Sequence, residues 1–298
     1  MRETLAIVGA GRVGRALGRR LHELGWQIGA VATRSDASAR KAVRFIGSGS
    51  AHAGISRRLL ASTVILIATP DGAIHEVGRE LARIGAEELR GKVVLHTSGA
   101  LDASVLAAAR ECGAAAGSMH PLQTFSGVGV PPLEGKVFTI EGDAMAVRTS
   151  RKIARALGAA PVQIEAADKP LYHAAGTLAA GHVLVVVEAA VHLMMSIGMK
   201  RGEAVRALLP MTRQVLQNYE RLGPRAAWTG PLARGDREVV AKHVEALQQY
   251  SWEYKEAYEA LNRLAEHVLA RDGSALPAGS EGVFEDRKAK AKATGGKR

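Results

Sequence analysis

The sequence predicts an α/β fold: a doubly wound, mostly parallel sheet followed by a small all-helical domain. Three observations point there. From Leu5 to about Ile164, short apolar runs alternate with alanine-rich stretches of helical period, the pattern of repeated βα units. A glycine loop joins the first of these strands to the first helix. After about Ala167 the strand signals stop, and helix-periodic text continues to about residue 270.

The expected strands are "LAIVG" (5–9), "QIGAVAT" (27–33), "STVILIAT" (62–69), "KVVLHTS" (92–98), "AAAGSM" (114–119), "KVFTIEG" (136–142) and "PVQIEA" (161–166). Several are almost unbroken in Val, Ile, Leu and Ala, as required when helices cover both faces of a sheet. Helices are expected near 169–197, 201–221 and 236–270, the last two joined through "GPRAAWTGPLARGD". The division that follows is a dinucleotide-type domain over 1–166, a helical domain over 167–270 and a basic, disordered tail over 271–298.

Composition limits the function classes. A chain of 298 residues is long for one core, and 47% hydrophobic with 23% charged residues is ordinary for a globular protein. The net charge of +11 suggests nucleic acid until it is located. "RKAKAKATGGKR" (287–298) holds six basic residues and no acid, which leaves +5 for the rest. With aromatics at 4% and no binding motif, nucleic acid is not the expected partner. Cys112 is the only cysteine, so an intrachain disulfide and a cysteine-based metal site are excluded. The start "MRETLAIVGAG" passes straight into a strand, so a cytoplasmic protein is expected. The apolar stretch 174–199 resembles a membrane span, but His182, Glu188 and His192 interrupt it, and a buried helix is expected instead.

In "LAIVGAGRVGRALGRRL", Gly9, Gly11 and Gly14 have GxGxxG spacing between a strand and an amphipathic helix. The first glycine permits the tight turn, the second the approach of a pyrophosphate and the third close helix–strand packing. Arg12 and Val13 lie within the same loop, at the helix N-terminus, where free N–H groups and the helix dipole favour phosphate. An acid at the end of the second strand would bind the ribose hydroxyls of NAD. This chain has Thr33, Arg34 and Ser35 there, groups suited to the 2′-phosphate of NADP. Asp36 would serve a ribose if the loop register differed. Thr69 and Pro70 end another strand and are expected beside the nicotinamide ribose, with Asp71 either joining them or capping the next helix.

A second polar group interrupts apolar text in "LHTSGAL" (95–101), "GSMHPLQTF" (117–125) and "DKPLYHAAG" (168–176). His96, Thr97, Ser98, His120 and Gln123 follow strands and so collect at the carboxyl edge that carries the glycine loop. Lys169 and His173 are four residues apart on one helical face. Hydride transfer to a carbonyl or imine needs a proton donor and cations for an acidic substrate, which Lys169, His173, His120 and Ser98 could supply. The alternative is structural: Asp168 caps the helix, Lys169 is solvated and His173 is buried. The three histidines lie on separate elements without a paired carboxylate, so no metal site is expected.

Taken together, "GAGRVG", "HTSGAL", "HPLQTF", "YHAAG" and "GPLARGD" resemble the dehydrogenase-like family that joins a Rossmann-like domain to domain of unknown function 2520, over residues 4 to 270. The resemblance implies an NADP-type Rossmann domain and an all-helical domain of the 6-phosphogluconate dehydrogenase type that dimerises through its long helix. The family is also similar to pyrroline-5-carboxylate reductases and β-hydroxyacid dehydrogenases. In the latter a catalytic lysine is followed four residues later by asparagine. Lys169 matches that lysine, and His173 replaces the asparagine. The expected function is an NADP-dependent oxidoreductase acting on a small, anionic carbonyl, hydroxy acid or imine; the alternative is an NADP-binding sensor or assembly protein without turnover.

Overall fold

The computed structural model describes residues 3–269; the basic segment from 271 onward lies outside the described residues. Eight strands form one sheet: β1 (Thr4–Val8), β2 (Gln27–Thr33), β3 (Ser50–Ala53), β4 (Val64–Ile67), β5 (Val93–His96), β6 (Ala115–Pro121), β7 (Val137–Gly142) and β8 (Ala160–Gln163). Their order is β3-β2-β1-β4-β5-β6-β7-β8. Only β6 and β7 pair antiparallel, so the mostly parallel, doubly wound sheet is as expected. The chain leaves β1 on one side for β2 and β3 and returns on the other side at β4. That reversal opens a crevice beyond the carboxyl ends of β1 and β4, the position at which open α/β sheets bind ligands.

The helices between strands are α1 (Arg12–Glu23), α2 (Asp36–Ile46), α3 (Asp71–Gly85), α4 (Ala107–Glu111) and α5 (Ala144–Ala156). Successive strand residues point to opposite faces. Thus Leu5 and Ile7 of β1 pack into one core with Leu17, Leu21 and Ile153, while Ala6 and Val8 pack into the other with Ile74, Leu81 and Leu106. Each fully buried Leu or Ile contributes about 1.5–3 kcal/mol relative to exposure. One strand was not anticipated from sequence. β3 reads "SAHA", has no apolar run, and is held at the sheet edge by pairing Ser50–Ala53 against Ala30–Thr33.

Beyond the sheet come α6 (Lys169–Thr177), one π-helical turn over Leu178–His182, α7 (Val183–Ser196), α8 (Arg201–Ala227), α9 (Pro231–Arg234), α10 (Arg237–Tyr250) and α11 (Trp252–Val268). The chain divides into two compact units between His182 and Val183, so α6 belongs to the unit that contains the sheet. The regular part of α8 breaks at Gly223, whose φ of 79° favours glycine. The single helix expected over 236–270 is two helices, because Ser251 is extended (φ −166°, ψ 137°). The expected burial of the long apolar helix does not hold among the described residues. Leu184 and Val185 of α7 are 68% and 62% exposed, while Val191 packs against Ala204 and Leu208 of α8. The stretch Ala166–Ser196 is long and apolar enough to cross a membrane. Within it the Glu188 carboxylate is partnered: it accepts two hydrogen bonds from Arg201 (2.7 and 3.0 Å) and lies 3.2 Å from His192.

Candidate functional site

At the crevice, Gly9 has φ +82°, and a Cβ there would stand 2.7 Å from the Thr69 backbone nitrogen. A Cβ on Gly14 would lie 2.3 Å from the Gly9 carbonyl oxygen. Both positions therefore require glycine to bring α1 against the turn after β4. Gly11 differs: nothing lies within 4 Å of its missing side chain, and as N-cap of α1 it offers no side-chain cap. The first-turn N–H groups of α1 are thus left to a ligand. They open on a cleft of about 370 Å³ formed by Gly11–Val13, the turn Ala68–Asp71, the turn Thr97–Gly99, His120 of β6 and His173 of α6. The Thr69 hydroxyl is buried beside this cleft with no partner among the described residues. An open glycine face, uncapped helix N–H groups and an orphaned hydroxyl fit a dinucleotide pyrophosphate and its adjoining ribose. A second cleft, of about 330 Å³, opens at the amino-terminal ends of β4 and β5, where Lys152 pairs with Glu3. It has neither a glycine loop nor a histidine.

The end of β2 has a different logic from its three polar side chains acting alike. Thr33 donates its hydroxyl hydrogen to the Ser35 carbonyl (2.8 Å), and Ser35 caps α2 by accepting from the Ser38 N–H (3.3 Å). These two hydroxyls shape the turn. Asp36 pairs with Arg40 one helical turn along. Arg34 stays exposed and, among the described residues, makes no hydrogen bond or ion pair. A cation without a partner next to a helix N-terminus suits a phosphate.

The histidines separate into two kinds. His96 is fully buried: its Nδ1 accepts from the Ser98 N–H (3.2 Å) and its Nε2 lies 3.1 Å from the Asp102 carbonyl, to which it must donate. Burial first, and the Lys169 charge second, lower its pKa to about 4. Both ring nitrogens are consumed, so His96 holds the turn after β5. The Ser98 hydroxyl supports the same turn by accepting from the Ala100 and Leu101 N–H groups (3.2 and 3.0 Å).

Lys169 is 1% exposed, not solvated. Its Nζ donates to the Ser118 hydroxyl (2.6 Å) and to the Ser98 carbonyl (3.2 Å), pinning the start of α6 to β6 and to the turn after β5. Burial lowers its pKa, and the Glu141 carboxylate works against that. Glu141 is half-buried, its own pKa raised by burial, and it accepts from the Ala103 N–H (2.8 Å). The Lys169 ammonium does not line the cleft, whereas His173, one turn later, is exposed and does. The two therefore do not stand side by side at the cleft. Asp168 gives α6 no side-chain cap. Gln123 turns into its own loop, donating to the Pro132 carbonyl (3.0 Å).

His120 is the site's open histidine. Its Nδ1 lies 2.7 Å from the Tyr172 hydroxyl, and its ring meets Tyr172 and His173 edge-on at 5.6 and 6.0 Å between centroids. Burial, then the charges of Lys169 and His173, lower its pKa to about 4. Gly99 makes the cluster possible: a Cβ there would stand 2.7 Å from His173 Cδ2 and 2.9 Å from His120 Cε1. Tyr172, Gly99, Ser118 and Glu141 were not singled out from sequence. Tyr172 and Gly99 lie inside the motifs "DKPLYHAAG" and "HTSGAL", but helical spacing drew attention to Lys169 and His173 instead. Among the described residues no three His, Cys, Asp or Glu side chains gather as metal ligands.

Residues 1–121 match the Rossmann-like domain, and residues 136–265 match domain of unknown function 2520. A search of the curated proteins returns no match. Among solved structures, the chain is similar to a candidate NADP oxidoreductase from Bacteroides fragilis (21% identity, TM-score 0.70, covering 88% of this chain and 97% of that one). It is similar to a reductive aminase from Aspergillus terreus bound to NADPH and ethyl-5-oxohexanoate (19%, 0.64, 93% and 97%). A third is the pyrroline carboxylate reductase of Plasmodium falciparum with NADP bound (12%, 0.56, 90% and 98%). At these identities the likeness is one of fold. The chain thus carries a Rossmann-like domain followed by domain of unknown function 2520, the tandem that its motifs resemble.

Proposed function

We propose that the protein is an NADP-dependent oxidoreductase that moves a hydride to or from a small carbonyl, hydroxy acid or imine. The observation that carries this reading is a single cleft joining the glycine loop and Thr69–Pro70 to His120 and His173. When bound, the cofactor would supply the hydride from its nicotinamide. Gly9, Gly11, Arg12, Val13 and Gly14 would hold the pyrophosphate, Thr69 and Pro70 the adjoining ribose, and Arg34 the 2′-phosphate, with Thr33 and Ser35 shaping the turn that presents it. The NADP- and NADPH-bound structures of similar fold support that cofactor. His120 and His173 would face the reacting carbon's heteroatom. Ser98 and Lys169 would act through position, because the Lys169 ammonium is committed to Ser118 and Ser98. Lys169 would then not be the cation that holds an anionic substrate. The exposed apolar face of α7 supports a homodimer, since a helix apolar nearly all round needs a cover that the described residues do not provide. Incubation with NADPH and a panel of keto acids and cyclic imines, followed by nicotinamide absorbance, tests turnover. Oxidation of NADPH with one class supports the enzyme; tight binding with no oxidation across the panel supports a sensor.

A further inference from the structure

We infer that Tyr172 sets the tautomer of His120: the phenol donates its proton to Nδ1, so that the ring carries its own hydrogen on Nε2, the edge that faces the cleft. This rests on the reading of the cleft as a reduction site, and it assigns His120 the role of hydrogen-bond donor to a substrate oxygen or nitrogen rather than that of a base. Tyr172 is thereby a positioning residue.

Three observations fix the direction of the chain of hydrogen bonds. First, the Tyr172 oxygen and His120 Nδ1 are 2.7 Å apart, so one proton lies between them. Second, Thr139 is the direct cross-strand neighbour of His120, and its hydroxyl is buried with no partner that meets hydrogen-bond geometry. It stands near the Tyr172 phenol, where a hydrogen bond donated by it would lower the phenol's pKa against the upward push of burial. If Thr139 donates to Tyr172 and Tyr172 to Nδ1, every proton in the series has an acceptor. In the reverse direction the Thr139 proton has none, and a buried donor left unpaired costs about 1–3 kcal/mol. Third, the Cε1–Nε2 edge faces Gly99: a Cβ there would lie 2.9 and 3.0 Å from those atoms, and Gly99 and His120 line the same cleft. The titratable groups around the ring are Lys169 and His173 from α6, His96 from β5 and Asp71 from α3. Burial and the Lys169 cation outweigh Asp71 and keep the ring neutral, so its tautomer decides what it offers.

The experiment is long-range nitrogen–proton correlation of the ¹⁵N-histidine-labelled full-length protein near pH 7, with His120 assigned by its loss in His120→Gln. The wild type should show the Nε2–H form. In Tyr172→Phe the nitrogen shifts should move toward the mixed-tautomer position, since losing one hydrogen bond changes the ratio by about two- to ten-fold. Thr139→Val should move them in the same direction by less. An Nδ1–H form in the wild type overturns the inference, whether or not the variants fold; so does an unchanged pattern in a Tyr172→Phe protein that unfolds at the wild-type temperature. NADPH titration of the same samples reads the functional proposal separately: absence of binding would sink that proposal and leave the tautomer result standing.

Discussion

A methyl group added at Gly99 has nowhere to go except into two imidazoles, at 2.7 Å from one and 2.9 Å from the other. Those neighbours are side chains, so the fold should survive Gly99→Ala while the rings shift. On any panel substrate that reacts, turnover should fall by about 10²-fold or more, the scale of a displaced proton donor, with NADPH affinity little changed. Wild-type turnover in Gly99→Ala would show that the two rings are not the reacting groups. The two lowered histidines also make a prediction about stability. His96 and His120 are held near pKa 4 when folded, against 6.5. Between those values the unfolded chain binds protons that the folded chain refuses. Their contribution is therefore complete above pH 6.5 and is lost as pH falls toward 4, with a slope of up to about 1.4 kcal/mol per pH unit for each ring. Urea unfolding measured from pH 7 to 4 checks this; a flat profile would contradict it. Sequence spacing found His120 and His173 because each stands beside a predicted strand end or helix start. It could not find that Lys169 points inward, because the acceptors, Ser118 of β6 and the Ser98 carbonyl of the turn after β5, lie 51 and 71 residues away.

The elements that were legible in the sequence are those whose local pattern and final environment agree. β4 is an unbroken apolar run, β1 is one after Thr4 and β5 is one up to His96, and these runs are buried on both faces. The break at Ser251 was not legible, because Tyr250 and Trp252 continue the helical period on either side and nothing in "QYSWE" is a strong breaker. The long apolar helix was recognised as a helix, yet its burial was misjudged: hydrophobicity shows that a face needs covering but not which chain covers it. Under the homodimer proposal, the face of α7 that displays Leu184 and Val185 meets a second copy. Leu184→Glu should then shift a micromolar dimer toward monomer in sedimentation, through a buried unpaired charge at the interface. A monomeric wild type would contradict that arrangement.

At the scale of the molecule, the sheet's reversal between β1 and β4 determines where chemistry can occur, and the glycine loop determines what can sit there. Both were legible from the first seventy residues, since GxGxxG after an apolar strand is a backbone requirement that Gly9 and Gly14 bear out sterically. The substrate was not legible: it depends on side chains gathered from three turns, a strand and α6. The central claim is NADP binding with Arg34 on the 2′-phosphate. Its most direct measurement is calorimetric titration of wild type and Arg34→Ala with NADPH and with NADH. The account predicts tighter binding of NADPH by the wild type, a loss of about 1–3 kcal/mol for NADPH in the variant and little change for NADH. Equal affinity for the two cofactors, or equal losses in the variant, would contradict it.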